Sequence, residues 1–258
     1  MKVALIQMEV ISGDVAGNRQ RALALAREAA PKADVLVLPE IWTTGYALRD
    51  LDVWAEDETG DSVAGLQEIA KEYQVNIVAG SLPWRRPEGI YNGSVVIDRQ
   101  GKVIADYQKI HLFRKLAEER FFLPGDKRCL FPLDDMKAGL TICYDLRFPE
   151  LFRVLARDGA EIIFVPAEWP TVRGNAWRVL NQARAIENQV YICAVNCVGQ
   201  HRGEPFFGHS MLIDPRGKIL AEGGEEQEIL YGEINRDVLV KARANITVWE
   251  DRRPEMYE

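Results

Sequence analysis

The sequence predicts an α/β fold, tending to α+β because antiparallel pairs are mixed into its sheets, and three observations carry that expectation. VALIQM, ADVLVLPE and VNIVAG are β-rich apolar runs separated by stretches of helical composition, a strand and helix rhythm near the start of the chain. Farther along, short apolar runs bounded by Gly, Pro, Asn or Asp replace that rhythm. Two of them lead into the similar segments DRQGK and DPRGK, in which Asp, Arg and Gly mark hairpin turns. A purely parallel doubly wound sheet is therefore disfavoured.

The first run, MKVALIQMEV, carries one lysine and stops at Glu9. It is too short for a signal peptide and far below the roughly 20 residues of a membrane span, so it reads as a first strand. ADVLVLPE is the second strand and passes through Pro39 into a carboxylate, Glu40; VNIVAG is the third. Further strands are expected in Gly93–Asp98, Lys102–Tyr107, Gly139–Cys143, Glu161–Pro166, Val190–Asn196, His209–Asp214 and Glu228–Ile234. A helix starting at about Arg147 would place Leu151, Val154 and Leu155 on one face. Thr171–Asn188 is the clearest amphipathic helix, with Val172, Ala176, Val179, Leu180, Ala183 and Ile186 at spacings of three and four and Arg173, Arg178, Arg184 and Glu187 between them.

With 258 residues, no low-complexity segment and no repeat, one domain spanning 1–258 is expected. The net charge of -7 argues against a nucleic-acid partner, which needs a basic surface, and points to a small molecule. Four cysteines without a secretion signal do not make a disulfide framework, and a reducing cytoplasm fits them.

Several residues are candidates for chemistry. Cys143 ends an apolar run in LTICYDLRFPEL just before a helix candidate. Ligands sit at that edge of open α/β sheets, and a helix N-terminus favours a thiolate, although a lone cysteine is more often a buried hydrophobe. Glu40 is either a solvated strand end or a desolvated carboxylate suited to moving protons. Lys109, in DYQKIHLF, is either a surface lysine or a cation aimed at a developing oxyanion, and His111 beside it reads as structural. Cys193 and Cys197 with His201 and His209 raise a zinc reading. A strand through YICAVNC would hold the two sulfurs on one face roughly 13 Å apart at about 3.3 Å per residue, too far for one tetrahedral ion. Glycine-rich phosphate loops are absent from the sequence.

Taken together, LVLPE, YQKIHLF and ICYDLRFPEL resemble the signature segments of the nitrilase superfamily of carbon–nitrogen hydrolases, and TTGY, YNGSVVID, PAEWP, ARAIENQVYICAVN, GHSMLIDPRGK and DRRPEMY extend the likeness along almost the whole chain. The resemblance implies a four-layer αββα sandwich with two mixed sheets, a Glu40-Lys109-Cys143 triad, and a homodimer joined through helices and the C-terminal tail, which here holds Trp249, Arg252, Arg253 and Tyr257. It also implies a second glutamate before the Pro-Gly pair; counting back from Gly125 favours Glu118, with Glu119 the alternative.

CYDLRFPE is similar to the omega-amidase and deaminated-glutathione-amidase branch, whose substrates are small linear amides, often bearing a carboxylate. TTGY, EWP and ARAIENQ look closest to bacterial omega-amidases acting on 2-oxo acid amides such as 2-oxoglutaramate. On this implied chemistry Cys143 forms a thioester, Lys109 and the backbone N–H of Tyr144 hold the oxyanion, Arg147 or Arg173 meets a substrate carboxylate, Tyr46 and Trp169 line the site, and neither metal nor organic cofactor is used. Carbamoyl amidohydrolases and nitrilases share the fold and are the enzymatic alternatives; a catalytically silent scaffold would have lost a triad residue, and all three are present.

Overall fold

The structure is a computed structural model that describes residues 1–257. Its first sheet has seven strands: Glu228–Glu233, Lys2–Gln7, Val35–Val37, Asn76–Val78, Gly89–Ile97 and Leu82–Arg86 in spatial order, with Val103–Gln108 on the other side of Gly89–Ile97. The second has six: Ile219–Glu222, Met211–Ile213, Tyr191–Asn196, Ile162–Ala167, Met136–Leu140 and Cys129–Leu133. Both mix parallel and antiparallel pairs.

The period-two alternation of strand side chains sets the layers. Val3, Leu5, Val35, Val37, Val78 and Val96 project from the first sheet into a core shared with the second sheet. The residues between them, Ala4, Ile6, Leu36, Leu38, Ile77, Val95 and Ile97, pack instead against helices Val15–Ala29 and Asp61–Tyr73. Helices Pro149–Arg157 and Gly174–Asn188 cover the second sheet, where Gly139 lies beneath Leu155. The result is the αββα sandwich, with both inner sheet faces buried and apolar.

Both expected hairpins form, and by the same device. Asp98 Oδ1 accepts from the N–H groups of Gln100 and Lys102, and Asp214 Oδ1 from those of Arg216 and Lys218. Gly101 and Gly217 take the positive φ that each turn requires, +77° and +82°. Six strands escape the sequence reading: Glu9–Ile11, Leu82–Arg86, Cys129–Leu133, Val198–His201, Glu204–Phe207 and Ile219–Glu222. They are short, and several contain Pro or charged residues. Three of them form a small separate sheet.

Three expectations are corrected. The strand before Cys143 ends at Leu140, and a 3-10 turn over Cys143–Arg147 precedes a helix that starts at Pro149, not Arg147. Cys193 and Cys197 do not share a strand face: the strand stops at Asn196, Cys197 N bonds to Ala167 O, and Cys197 packs in the other core cluster. The long helix also buries a different face from the one its aliphatic spacing suggests. Trp177, Asn181, Arg184, Ala185 and Asn188 face inward, while Val172, Val179 and Ile186 are 71%, 54% and 51% exposed. Local bonds make the polar face buriable: Arg184 donates twice to Leu146 O at 2.8 and 3.1 Å, Asn181 to Trp177 O and Asn188 to Arg184 O.

Gly80 shows how tightly the first sheet's carboxyl edge is drawn. Its φ is +65°, and a Cβ would lie 2.1 Å from Pro39 O, beside Glu40. Gly80→Ala should therefore destabilise the fold by on the order of 2–3 kcal/mol and depress activity with it. Urea unfolding measures the first effect; a variant as stable as the parent would contradict this packing.

Candidate active site

Four strand ends meet at one edge of the sandwich. Glu40 follows Val35–Val37, Lys109 follows Val103–Gln108, Cys143 follows Met136–Leu140 and Glu168 follows Ile162–Ala167. Each is a carboxyl end, the edge at which open α/β sheets bind ligands. Two of these ends turn sharply, since Cys143 itself has φ +45° and Ile41, next to Glu40, has φ +36°. Such strained conformations persist only where the surroundings hold them.

Around Cys143 the holding residue is Asp145, which is buried. One carboxylate oxygen accepts from Ile142 N at 2.9 Å and Tyr107 OH at 2.7 Å; the other accepts from His111 N at 3.1 Å and lies 2.7 Å from His111 Nδ1. His111 stacks on Phe148 at 3.5 Å between ring centres, so it is a structural residue, as its sequence context suggests.

Lys109 is the hub of the charged groups. Its Nζ lies 2.7 Å from Glu40 Oε1 and 2.9 Å from Glu118 Oε1, and all three side chains are fully buried. Glu40 Oε1 also accepts from Asn92 Nδ2 at 2.8 Å, and Oε2 from the backbone N–H of Glu168 at 2.9 Å. Glu118 accepts from Tyr46 OH at 2.9 Å and Phe113 N at 2.8 Å. Glu118, not the exposed Glu119, is the carboxylate that reaches the lysine.

The electrostatics follow from burial and these neighbours. Burial alone would push the Lys109 ammonium down, but Glu118, Glu40 and Cys143 outweigh it and hold the group well above the ordinary lysine value. Glu118 is raised by burial, with Lys109 pulling the other way. Burial raises Cys143 well above a free thiol, and Glu40 adds to this more than Lys109 takes away. The cysteine therefore rests as a thiol. Desolvation and a carboxylate neighbour outweigh the pull of a helix end toward the thiolate.

Cys143 is only 6% exposed, yet it lines a narrow cleft. Tyr46, Phe113, Tyr144, Arg147, Trp169 and Arg173 line that cleft together with Glu168. Every residue singled out from the sequence for substrate contact is thus beside the cysteine. The two arginines differ: Arg173 Nη1 lies 3.7 Å from Glu204, whereas Arg147 rests over the Trp169 ring at 5.0 Å. Tyr144 is the second residue of the 3-10 turn, where backbone N–H groups lack an acceptor within the helix.

Sequence reasoning missed Asn92 and Glu168. Glu168 carries the signal that exposed Glu40, an apolar strand running straight into a carboxylate, here IIFVPAEW. Among the described residues, no group of three or more His, Cys, Asp or Glu is arranged to hold a metal ion.

A family model for carbon-nitrogen hydrolases matches residues 2–244. The chain belongs to the carbon-nitrogen hydrolase family. This hydrolase is 39% identical over 255 residues to the 2-oxoglutaramate amidase of Bacillus subtilis (strain 168), across 99% of its own length and 98% of that protein's. It is 34% identical over 278 residues to Omega-amidase NIT3 of Saccharomyces cerevisiae, across 100% and 94%. The crystal structure of Saccharomyces cerevisiae Nit3, a member of branch 10 of the nitrilase superfamily, matches with a TM-score of 0.91 over 98% of this chain and 96% of that one. An amidase from Nesterenkonia sp. AN1, 29% identical with a TM-score of 0.86 over 100% and 98%, has a structure showing Michael addition of acrylamide at its active-site cysteine.

Lys109→Met would strand two buried carboxylates and should cost about 3–5 kcal/mol of stability, readable by denaturant unfolding. Alkylation of Cys143 followed by mass spectrometry should rise with pH along a curve whose midpoint lies above that of a free cysteine, about 8.5. A midpoint below that value would contradict the thiol resting state.

Proposed function

We propose that this hydrolase is an omega-amidase that cleaves small linear amides carrying a carboxylate, 2-oxoglutaramate being the representative substrate. The observation that supports it most is the meeting of Cys143, which lines a small cleft, with Glu40 and the doubly paired Lys109, both fully buried beside it. The two amidases to which the chain is similar along its length support the choice of substrate class.

In this mechanism the substrate amide carbon sits against Cys143. Glu40 takes the thiol proton as sulfur attacks, which explains how a cysteine that rests protonated becomes a nucleophile only with substrate present. The carbonyl oxygen gains negative charge between the Lys109 ammonium and the Tyr144 N–H. Collapse of that intermediate breaks the C–N bond, Glu40 returns the proton to nitrogen, and ammonia leaves a thioester on Cys143. Glu40 next takes a proton from water, whose oxygen attacks the thioester. The acid is released, and the proton returns to the sulfur.

Glu118 is a positioning residue, holding Lys109 against Glu40 with Tyr46 as its second support. Arg147, which unlike Arg173 has no carboxylate partner among the described residues, pairs with the substrate carboxylate, while Trp169 backs its guanidinium. We further propose that the protein forms one cytoplasmic catalytic domain and works as a homodimer. Its four free cysteines support the compartment. The exposed Val172, Val179 and Ile186, with the tail that carries Arg252 between the Trp249 and Tyr257 rings, support the pairing.

Ammonia release from 2-oxoglutaramate, nitriles and ureido acids tests the substrate class, the amide being expected to lead. Cys143→Ala should abolish turnover and Glu118→Gln should lower kcat; an active Cys143→Ala protein would sink the mechanism. Light scattering should give a dimer mass, and Ile186→Asp should shift it to the monomer.

A further inference from the structure

Glu168 is buried to 1% exposure, and among the described residues neither of its carboxyl oxygens has a nitrogen or oxygen hydrogen-bond partner. Buried polar groups are ordinarily satisfied, and an orphan is destabilising. This one lines the catalytic cleft alongside Cys143. A ligand that enters the cleft is the partner such a group lacks.

Its position identifies which part of a ligand it meets. The Glu168 main-chain N–H bonds to Glu40 Oε2, while Lys109 and Asn92 both bond to Oε1. Glu168 therefore flanks Glu40 on the side away from the cation. In the mechanism above, the carbonyl oxygen turns to Lys109 and the departing nitrogen to Glu40. A primary amide nitrogen carries two N–H groups, and Glu40 engages one. The second, in a cleft this closed, needs an acceptor.

We propose that Glu168 is that acceptor: its carboxyl C=O receives the second N–H of the scissile primary amide, so that the cleft distinguishes amides from esters and nitriles. The inference rests on the amidase reading and deepens it. Burial, then Glu40 and Glu118 against the pull of Lys109, hold the Glu168 carboxyl well above the usual carboxylate range, which favours its neutral form. A neutral acid adds no charge to a site that already holds Glu40 and Glu118, and it does not repel a substrate carboxylate. The thiol of Cys197, a weak donor, is the hydrogen-bonding side-chain neighbour of Glu168 and pulls against burial.

The test compares Glu168→Gln, which keeps a C=O, with Glu168→Met, which keeps length and apolar bulk only. Each is assayed on 2-oxoglutaramate and on the methyl ester of the same acid, in which no N–H remains. The Met variant should lose about tenfold or more in kcat/KM on the amide, the scale of one hydrogen bond, and stay within about twofold on the ester. The Gln variant should stay within about threefold of wild type on both. The Met variant should also melt higher than wild type, because an unsatisfied buried polar group has been removed. Equal loss on amide and ester, an unchanged amide rate, or a lowered melting temperature would each overturn the assignment. Wild-type protein inert toward both substrates would overturn the amidase reading itself, independently of the ratios between variants.

Discussion

A single buried ammonium, Lys109, holds the site together. It is out of contact with water and lies between two carboxylates that are equally buried, each brought from a different part of the chain. Moving any one of these charges from water into the protein is strongly unfavourable, and only the assembled triad makes it tolerable. The three loops that carry Glu40, Lys109 and Glu118 must consequently arrive together, and the neighbouring donors, Asn92, Tyr46 and the main chain of Phe113 and Glu168, complete the lone pairs that the lysine leaves over. With the lysine spent on carboxylates, the cysteine feels more negative than positive charge. That balance favours the thiol at rest, which is why the proposed mechanism gives its activation to Glu40.

The scaffold serves this arrangement through its edges. Two sheets packed face to face bring two sets of strand ends to one rim, so residues far apart in the chain, 40, 109, 143 and 168, stand side by side. The rim is made of tight turns. Cys143 sits in a left-handed conformation held by the hydrogen bonds of Asp145, and the Glu40 loop is closed against Gly80, where only glycine fits. The strain is local, and the close-packed core behind it, two buried layers rich in Val, Ile and Leu, supplies the resistance to relaxation.

Much of this was legible in the chain. Strand runs near 3–8, 35–38 and 76–78 and the two Asp-x-x-Gly-Lys turns depend on local periodicity and turn chemistry, and they form where expected. Strands such as Leu82–Arg86 and Glu204–Phe207 were not legible, because they hold Pro and charged residues and exist only through their neighbours. The helix Gly174–Asn188 teaches the same lesson about faces. Its aliphatic spacing points one way, but the second sheet accepts Trp177, Asn181 and Arg184, whose side-chain N–H groups find carbonyl acceptors.

What the sequence by itself determined is therefore the chemistry available: Cys143, Glu40 and Lys109 each follow an apolar run, and recognisable segments surround them. Tertiary structure decided the rest. It placed Glu118 rather than Glu119 against the lysine, engaged Arg173 with Glu204 and left Arg147 over Trp169, pushed the Cys143 thiol up by burial, and set the Glu168 carboxyl in the cleft. The physical reason is that burial, pairing and charge balance belong to the assembled neighbourhood, whereas strand and turn preferences belong to the residues themselves.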